Sequence, residues 1–190
     1  DATGTITVGS GALDRIAILD DANGTGSLVE TLSFTTDENI LLYMAGYDAD
    51  DNYIRDVKVQ WTVQGGIGEI NTGGPYTTST IFTATTIGTG VVQADSSVFE
   101  DETGIITVSG GSLSSLQIRD EGNGGGSSIG DVSLTTDETL TMYAAGYDAD
   151  GNYLGDQDVS WSVTGTLDAV TNSGSSITFS PSTSSTSGTI

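Results

Sequence analysis

Apolar residues recur at every second position in short runs along this chain, and each run stops at Gly, Asn or Asp. In ILLYMAGY (40–47), Ile40, Leu42 and Met44 share one side, and one hundred positions later Leu140, Met142 and Ala144 do the same. Leu41 on the opposite side becomes Thr141, so only one face keeps its apolar character. That is the signature of a strand with one buried side. In the next run Val57, Val59, Trp61 and Val63 alternate with Lys58, Gln60 and Thr62. Shorter alternating pieces fall at Ile6 and Val8, at Leu13, Ile16 and Ile18, at Leu32 and Phe34, at Ile81–Phe82 and at Val91–Val92. No run has helical spacing over more than about two turns.

The pattern is written twice. AGYDADDNY (45–53) returns as AGYDADGNY (145–153), VQWTV (59–63) as VSWSV (159–163), and GTITV (4–8) as GIITV (104–108). A period near one hundred residues means two copies of one module, each long enough to bury a core of its own. The expected organisation is all-β, with two tandem immunoglobulin-like β-sandwich modules at 9–108 and 109–190. Residues 1–8 then form the closing strand of a preceding or neighbouring module.

Between the strands the chain uses residues that favour turns. DDANGTGS (20–27) and DEGNGGGS (120–127) read as exposed loops, because Asn and consecutive Gly provide positive-φ conformations. TTDE (35–38 and 135–138) has the look of a helix-capping box, yet a strand pattern follows it. DADDN and DADGN join the long strand to the Trp strand; Asp150-Gly151 signals a type I′ hairpin, and Asp51 and Asn52 tolerate the same conformation. Tyr43, Tyr47, Tyr143 and Tyr147 fall on the second face, as cross-strand packing or, less simply, as an aromatic platform for a sugar. Trp61 and Trp161 read as core anchors.

Composition narrows what such modules do. With 26 acidic residues against 4 basic ones, the net charge of −22 repels phosphate backbones and anionic lipid, so nucleic acid is excluded as a partner. No stretch has the apolar length of a membrane span, and the chain opens on Asp1 without a charged-then-apolar leader, as a mature chain or a fragment does. Cys and His are absent, which removes disulfides and the nucleophile pairs that depend on them; the chain reads as no enzyme. A Ser-, Thr- and Gly-rich, Lys-poor composition points to an extracellular or cell-surface location.

GYDADGNYLGDQDVSWSVTG (146–165), with the GTITV strand, resembles the bacterial immunoglobulin-like repeats of invasin- and intimin-type surface proteins. Their hairpin reads roughly D-x-x-G-N before a V-x-W strand. Tyr53 and Tyr153 depart from it, standing where many relatives carry Pro. The resemblance spans both modules and implies a sandwich of about seven to nine strands, serving as a stalk, adhesin or filament subunit. It implies no active site.

Two candidate chemistries remain on the residues. Asp48, Asp50 and Asn52, repeated as Asp148, Asp150 and Asn152, have the alternate spacing of oxygen ligands in calcium loops, although the Gly and Glu that complete an EF-hand loop are missing. Plain turn formation explains the same residues, so calcium is the only cofactor in question. Asn23-Gly24-Thr25 is a lone glycosylation triplet.

The second candidate lies at the chain ends. Ser187-Gly188-Thr189-Ile190 aligns with Thr89-Gly90-Val91-Val92, inside a penultimate strand, whereas DATGTITV (1–8) aligns with the closing strand DETGIITV (101–108). The second module therefore lacks a last strand and the chain opens with a surplus one. The expectation is a self-assembly strand carrying Thr3, Thr5, Ile6, Thr7 and Val8, with an acceptor edge at Gly188, Thr189 and Ile190. Its partner is the chain itself, as a head-to-tail homopolymer or as neighbouring repeats of one longer polypeptide. The alternative is an adhesin-type module that recognises a carbohydrate or a receptor.

Overall fold

Burial follows the alternation of the sequence, and the strands follow burial. The computed structural model describes residues 1–170 and 172–190, among which there are sixteen strands and no helix. The fold is all-β. The chain divides into two compact units, Asp1–Ser109 and Gly110–Ile190.

The first unit contains β1 (Arg15–Leu19), β2 (Leu32–Thr35), β3 (Asn39–Tyr47), β4 (Tyr53–Asp56), β5 (Gln60–Gln64), β6 (Gly68–Asn71), β7 (Ser79–Ala84), β8 (Gly88–Asp95), β9 (Glu100–Glu102) and β10 (Ile106–Ser109). One sheet has the order β1-β3-β7-β6, with β4 also on β3; the other has the order β2-β10-β8-β5, with β9 also on β8. Ile16, Ile18, Leu42, Met44 and Phe82 from the first sheet meet Trp61, Val92, Ala94, Ile106 and Val108 from the second in one buried cluster. Leu42, Met44, Phe82, Val92 and Ile106 are wholly inaccessible. This is a sandwich core built from the facing sides of two sheets.

The second unit contains β11 (Ser115–Arg119), β12 (Leu140–Tyr147), β13 (Tyr153–Asp156), β14 (Val159–Trp161), β15 (Asn172–Gly174) and β16 (Ser176–Phe179). Its main sheet repeats four strands of the first unit's: β11 and β16 flank β12, with β13 on the far half of β12, while among the described residues no strand stands on β16 as β6 does on β7. The second sheet is reduced to β14 and β15. Met142, Ala144, Trp161, Ile177 and Phe179 form its buried cluster, while Ile118, Leu134 and Ile190 are only partly covered.

Residues 4–8 form no strand within this chain and lie exposed, and no described residue pairs with them. Three expectations need correction. Val132 and Leu134 form no strand; their counterparts Leu32 and Phe34 are held by β10, which has no equivalent beside them. The closing stretch at 102–108 is two strands rather than one, since Thr103 and Gly104 turn from β9 on one part of β8 to β10 on another. Finally, the hairpin is not type I′. Asp51 and Gly151 have positive φ (64° and 85°), but Asp50, Asn52, Asp150 and Asn152 do not. The Asp51 N–H donates to the Asp48 carbonyl, which closes a tighter turn before a single left-handed residue.

Of the tyrosines on the second face, Tyr47 and Tyr147 pack against Tyr53 and Tyr153. Tyr47 meets Tyr53 at 6.1 Å and Tyr147 meets Tyr153 at 5.8 Å, both edge-to-face, with the Arg15 guanidinium 4.2 Å over Tyr47. Tyr47 and Tyr53 cover Ala17, Leu19 and Ala45, so β1 is buried on both faces.

Both tryptophans are buried, Trp61 at 6% exposure and Trp161 at 5%. Their indole N–H groups donate to equivalent carbonyls, those of Thr77 at 3.3 Å and Gly174 at 2.9 Å. Replacing either by Ala removes ring burial and leaves a cavity, so Trp61→Ala and Trp161→Ala should each lower stability by about 3–5 kcal/mol in urea unfolding. A loss below about 1 kcal/mol would mean that the ring does not anchor the core.

Candidate functional site: the open strand position in the second unit

In the first unit β10 lies between β2, to which it runs parallel, and β8, to which it runs antiparallel. Ile106 sits opposite Leu32 and Gly90, and Val108 opposite Phe34 and Gly88. The second unit has the two walls without the strand. A cleft of about 1000 Å³ opens between residues 131–136 and residues 183–190, and Ile118, Leu140, Met142 and Phe179 line it. Val132 on this cleft is 50% exposed, and elsewhere in the unit Leu116 of β11 is 51% exposed where Ile16 is 6%.

The acceptor residues named from the sequence form one wall of this cleft. Thr164 N–H donates to the Thr189 carbonyl at 2.8 Å and Thr166 N–H to the Ser187 carbonyl at 2.9 Å, so Ser187–Thr189 follow residues 164–166 as β8 follows β5. The glycines confirm the equivalence: a Cβ on Gly188 would strike the Thr164 carbonyl and the Leu167 side chain, as one on Gly90 would strike Gln64 and Ile67. The approach to this wall is tied down by Asp168. Its carboxylate accepts from the backbone N–H and hydroxyl of both Ser182 and Thr183, and those donors hold its pKa at about 2, the Ser182 N–H foremost. The cleft is therefore built without its occupant.

The strand side of the candidate is equally bare. Ile6 is 76% exposed and Val8 89%, and Thr3, Thr5 and Thr7 are exposed with them. Sequence reasoning named Gly188, Thr189 and Ile190 but not Val132 and Leu134 on the facing wall, nor Asp168, which holds Ser182 and Thr183 beside the cleft. The one available signal was that Val132 and Leu134 repeat Leu32 and Phe34, neighbours of a closing strand.

The candidate cation residues come together differently. Asp48 is only 3% exposed, and its carboxylate accepts from the N–H groups of Gly11 (2.7 Å), Asp50 (3.1 Å) and Asn52 (2.9 Å) and from the Asn52 side-chain amide. Asp148 repeats this with Gly111, Asp150 and Asn152. The oxygens thus face N–H donors of the turn and of the joint before each unit. Among the described residues no group of three or more acidic side chains is arranged to hold a metal. No helix is long and apolar enough to cross a membrane, again among the described residues.

No protein-family model matches the chain, and no curated protein matches it. Solved structures resemble it distantly. It is 14% identical to domains 4–9 of the surface layer protein SbsC, covering 92% of this chain and 28% of that one, with a TM-score of 0.38. Domains 5–6 of the same S-layer protein give 15% identity, coverage of 86% and 85%, and a TM-score of 0.37. The Escherichia coli adhesin FdeC gives 15% identity, coverage of 96% and 65%, and a TM-score of 0.41. At that similarity they say nothing of what this chain binds.

The carboxylates give two predictions. The donors from Gly11 and then Asn52 hold Asp48 below its ordinary 3.8, against the opposing effect of burial, and Asp168 lies near 2. A depressed folded pKa contributes stability that is complete above the unfolded value and is lost as pH falls through the folded one. The unfolding midpoint should therefore fall below about pH 4, and Asp48→Asn and Asp168→Asn should each flatten that acid limb; midpoints measured across a pH series check it. For calcium, the midpoint in a millimolar solution should match that in chelator, because the Asp48 oxygens are already engaged. A rise abolished by the joint Asp48→Ala and Asp50→Ala changes would show a bound cation instead.

Proposed function

We propose that the chain is a structural repeat of an extracellular stalk or filament, joined head to tail when residues 1–8 of another copy, or the equivalent strand of the next repeat in a longer polypeptide, fill the open strand position in the second unit. One observation carries this reading: the second unit lacks the strand that completes the first, while an exposed segment elsewhere in the chain has that strand's sequence.

Physical chemistry favours occupancy of the cleft. An open sheet position leaves two rows of backbone groups unpaired and an apolar floor in water. Burying Ile6 and Val8 contributes about 1.5–3 kcal/mol each, and each ladder hydrogen bond adds about 0.5–1.5 kcal/mol. The sum is comparable to the roughly 4–15 kcal/mol opposing association, and the preformed cleft keeps the cost of ordering low. The Ser-, Thr- and Gly-rich, Lys-poor composition supports a place outside the cell.

A receptor or carbohydrate platform has less behind it, because Tyr47, Tyr53, Tyr147 and Tyr153 are engaged with one another. The test is to delete residues 1–8. The intact chain should form linear assemblies in sedimentation and electron microscopy, and the deletion should abolish them. An intact chain that stays monomeric at high concentration, with the second unit as protected in hydrogen exchange as the first, would overturn the proposal.

A further inference from the structure

Resting on that reading, we infer that the incoming strand enters in one register only, with Asp1 on the Ile118 N–H, Thr3 on Ile190, Ile6 opposite Gly188 and Val8 opposite Thr186.

The first unit supplies the template, because it holds the equivalent segment in place. There the Asp101 carboxylate accepts the Ile18 N–H at 2.7 Å, which ties the start of the segment to β1. Thr103, only 2% exposed, makes a reciprocal pair with Val92: its N–H donates to the Val92 carbonyl at 2.9 Å, and its hydroxyl accepts the Val92 N–H at 3.0 Å. Gly104 passes so close to Glu30 and Thr31 that a Cβ would fall 2.5 Å from the Glu30 carbonyl carbon, and its N–H donates to the Val29 carbonyl. Ile106 and Val108 then fill the core at 0% and 2% exposure.

Residues 1–8 keep the side chains that this template uses. Asp1, Thr3, Gly4, Ile6, Thr7 and Val8 are identical to Asp101, Thr103, Gly104, Ile106, Thr107 and Val108. The two positions that differ are Ala2 and Thr5, whose counterparts Glu102 and Ile105 point outward in the first unit, Ile105 at 60% exposure. Within its own chain the segment contacts nothing that requires a Thr-Gly pair: a Cβ on Gly4 would meet no atom within 4 Å. The identities match the demands of a groove that residues 1–8 do not occupy in this fold.

Receiving groups for Asp1, Thr3 and Gly4 are in the matching places, although the half of β8 that pairs with β9 (Gln93–Asp95) has no counterpart up to Ile190. Ile118 stands where Ile18 does, Ile129 and Gly130 where Val29 and Glu30 do, and Ile190 where Val92 does. A shift by two residues would keep apolar side chains inward, so hydrophobic alternation alone does not choose the register. The polar and glycine positions do: a two-residue slip moves Asp1 off Ile118, puts a residue with a Cβ over Gly130 and Asp131, and takes Thr3 away from Ile190.

The chain contains no cysteine, so disulfide mapping has no background. In the first unit Thr107 lies directly opposite Thr89, which places Thr7 opposite Ser187. The Thr7→Cys, Ser187→Cys double variant of the full chain, mildly oxidised, should give a ladder of covalent oligomers on a non-reducing gel. The slipped pair Thr7→Cys, Thr189→Cys should give about tenfold less, and adding Thr3→Val to the first pair should raise the share of slipped products. Oligomers that cross-link equally at both pairs would overturn the register while leaving head-to-tail assembly intact. A covalently closed monomer, or no cross-linked product from a chain that also sediments as a monomer, would overturn the second copy as the occupant.

Discussion

Each strand inside a sheet carries hydrogen-bonding groups along both edges and side chains on both faces, so a position left open there leaves two neighbours short of partners. In the first unit β10 meets that constraint for β2 and β8 together, and Ile106 and Val108 close the core beneath. In the second unit the vacancy spreads beyond the missing strand. Val132 and Leu134 do not form a strand, Ser187–Ile190 lie along residues 164–166 without entering a full ladder, and Leu116 turns half its surface to water.

The long strands were legible because their information is local. Period two in ILLYMAGY and LTMYAAGY is enough to place β3 and β12, and Trp61 and Trp161 lie within apolar runs that can only be buried. What the sequence hid depends on distant neighbours. The break between β9 and β10 answers the close approach of Gly104 to Glu30 and Thr31, over seventy positions away in the chain. The second buried face of β1 comes from Tyr47 and Tyr53 folding over Ala17 and Leu19. The D-x-D-x-N spacing shows oxygens but not what they face, so the same letters fit a cation and a set of N–H donors. At the cleft, the repeat offset matched residues 1–8 to 101–108 and Ser187–Ile190 to Thr89–Val92, whereas the hold of Asp168 on Ser182 and Thr183 needed the fold.

The heavy acidic charge is used in an unusual way. Among the described residues there is one ion pair, Arg15 with Asp51, yet carboxylates recur at turns with backbone N–H groups as their partners. Asp20 and Asp120 take the Ser27 and Ser127 N–H groups, Glu38 and Glu138 reach back to Thr35 and Thr135, and Asp156 takes the Asn123 N–H. The Glu-to-backbone half of a helix capping box thus closes single turns where none of the described residues is helical. Because these partners are fixed dipoles rather than mobile cationic side chains, short-range contacts of this kind are screened by salt much less than separated surface charges.

The clamp that Asp48 places on Gly11 has a mechanical consequence. The segment at 1–8 is tethered to a body that begins, in effect, at Gly11, which leaves only Gly9 and Ser10 as slack, a reach of about 7 Å when extended. Asp148 holds Gly111 in the same way, while Ser109 belongs to β10, where its carbonyl accepts the Thr36 N–H, so only Gly110 lies between that strand and the second clamp. A pull on either segment would reach the carboxylate of a buried aspartate through one or two small residues, and the hairpin turn around that carboxylate would be the element that yields or endures.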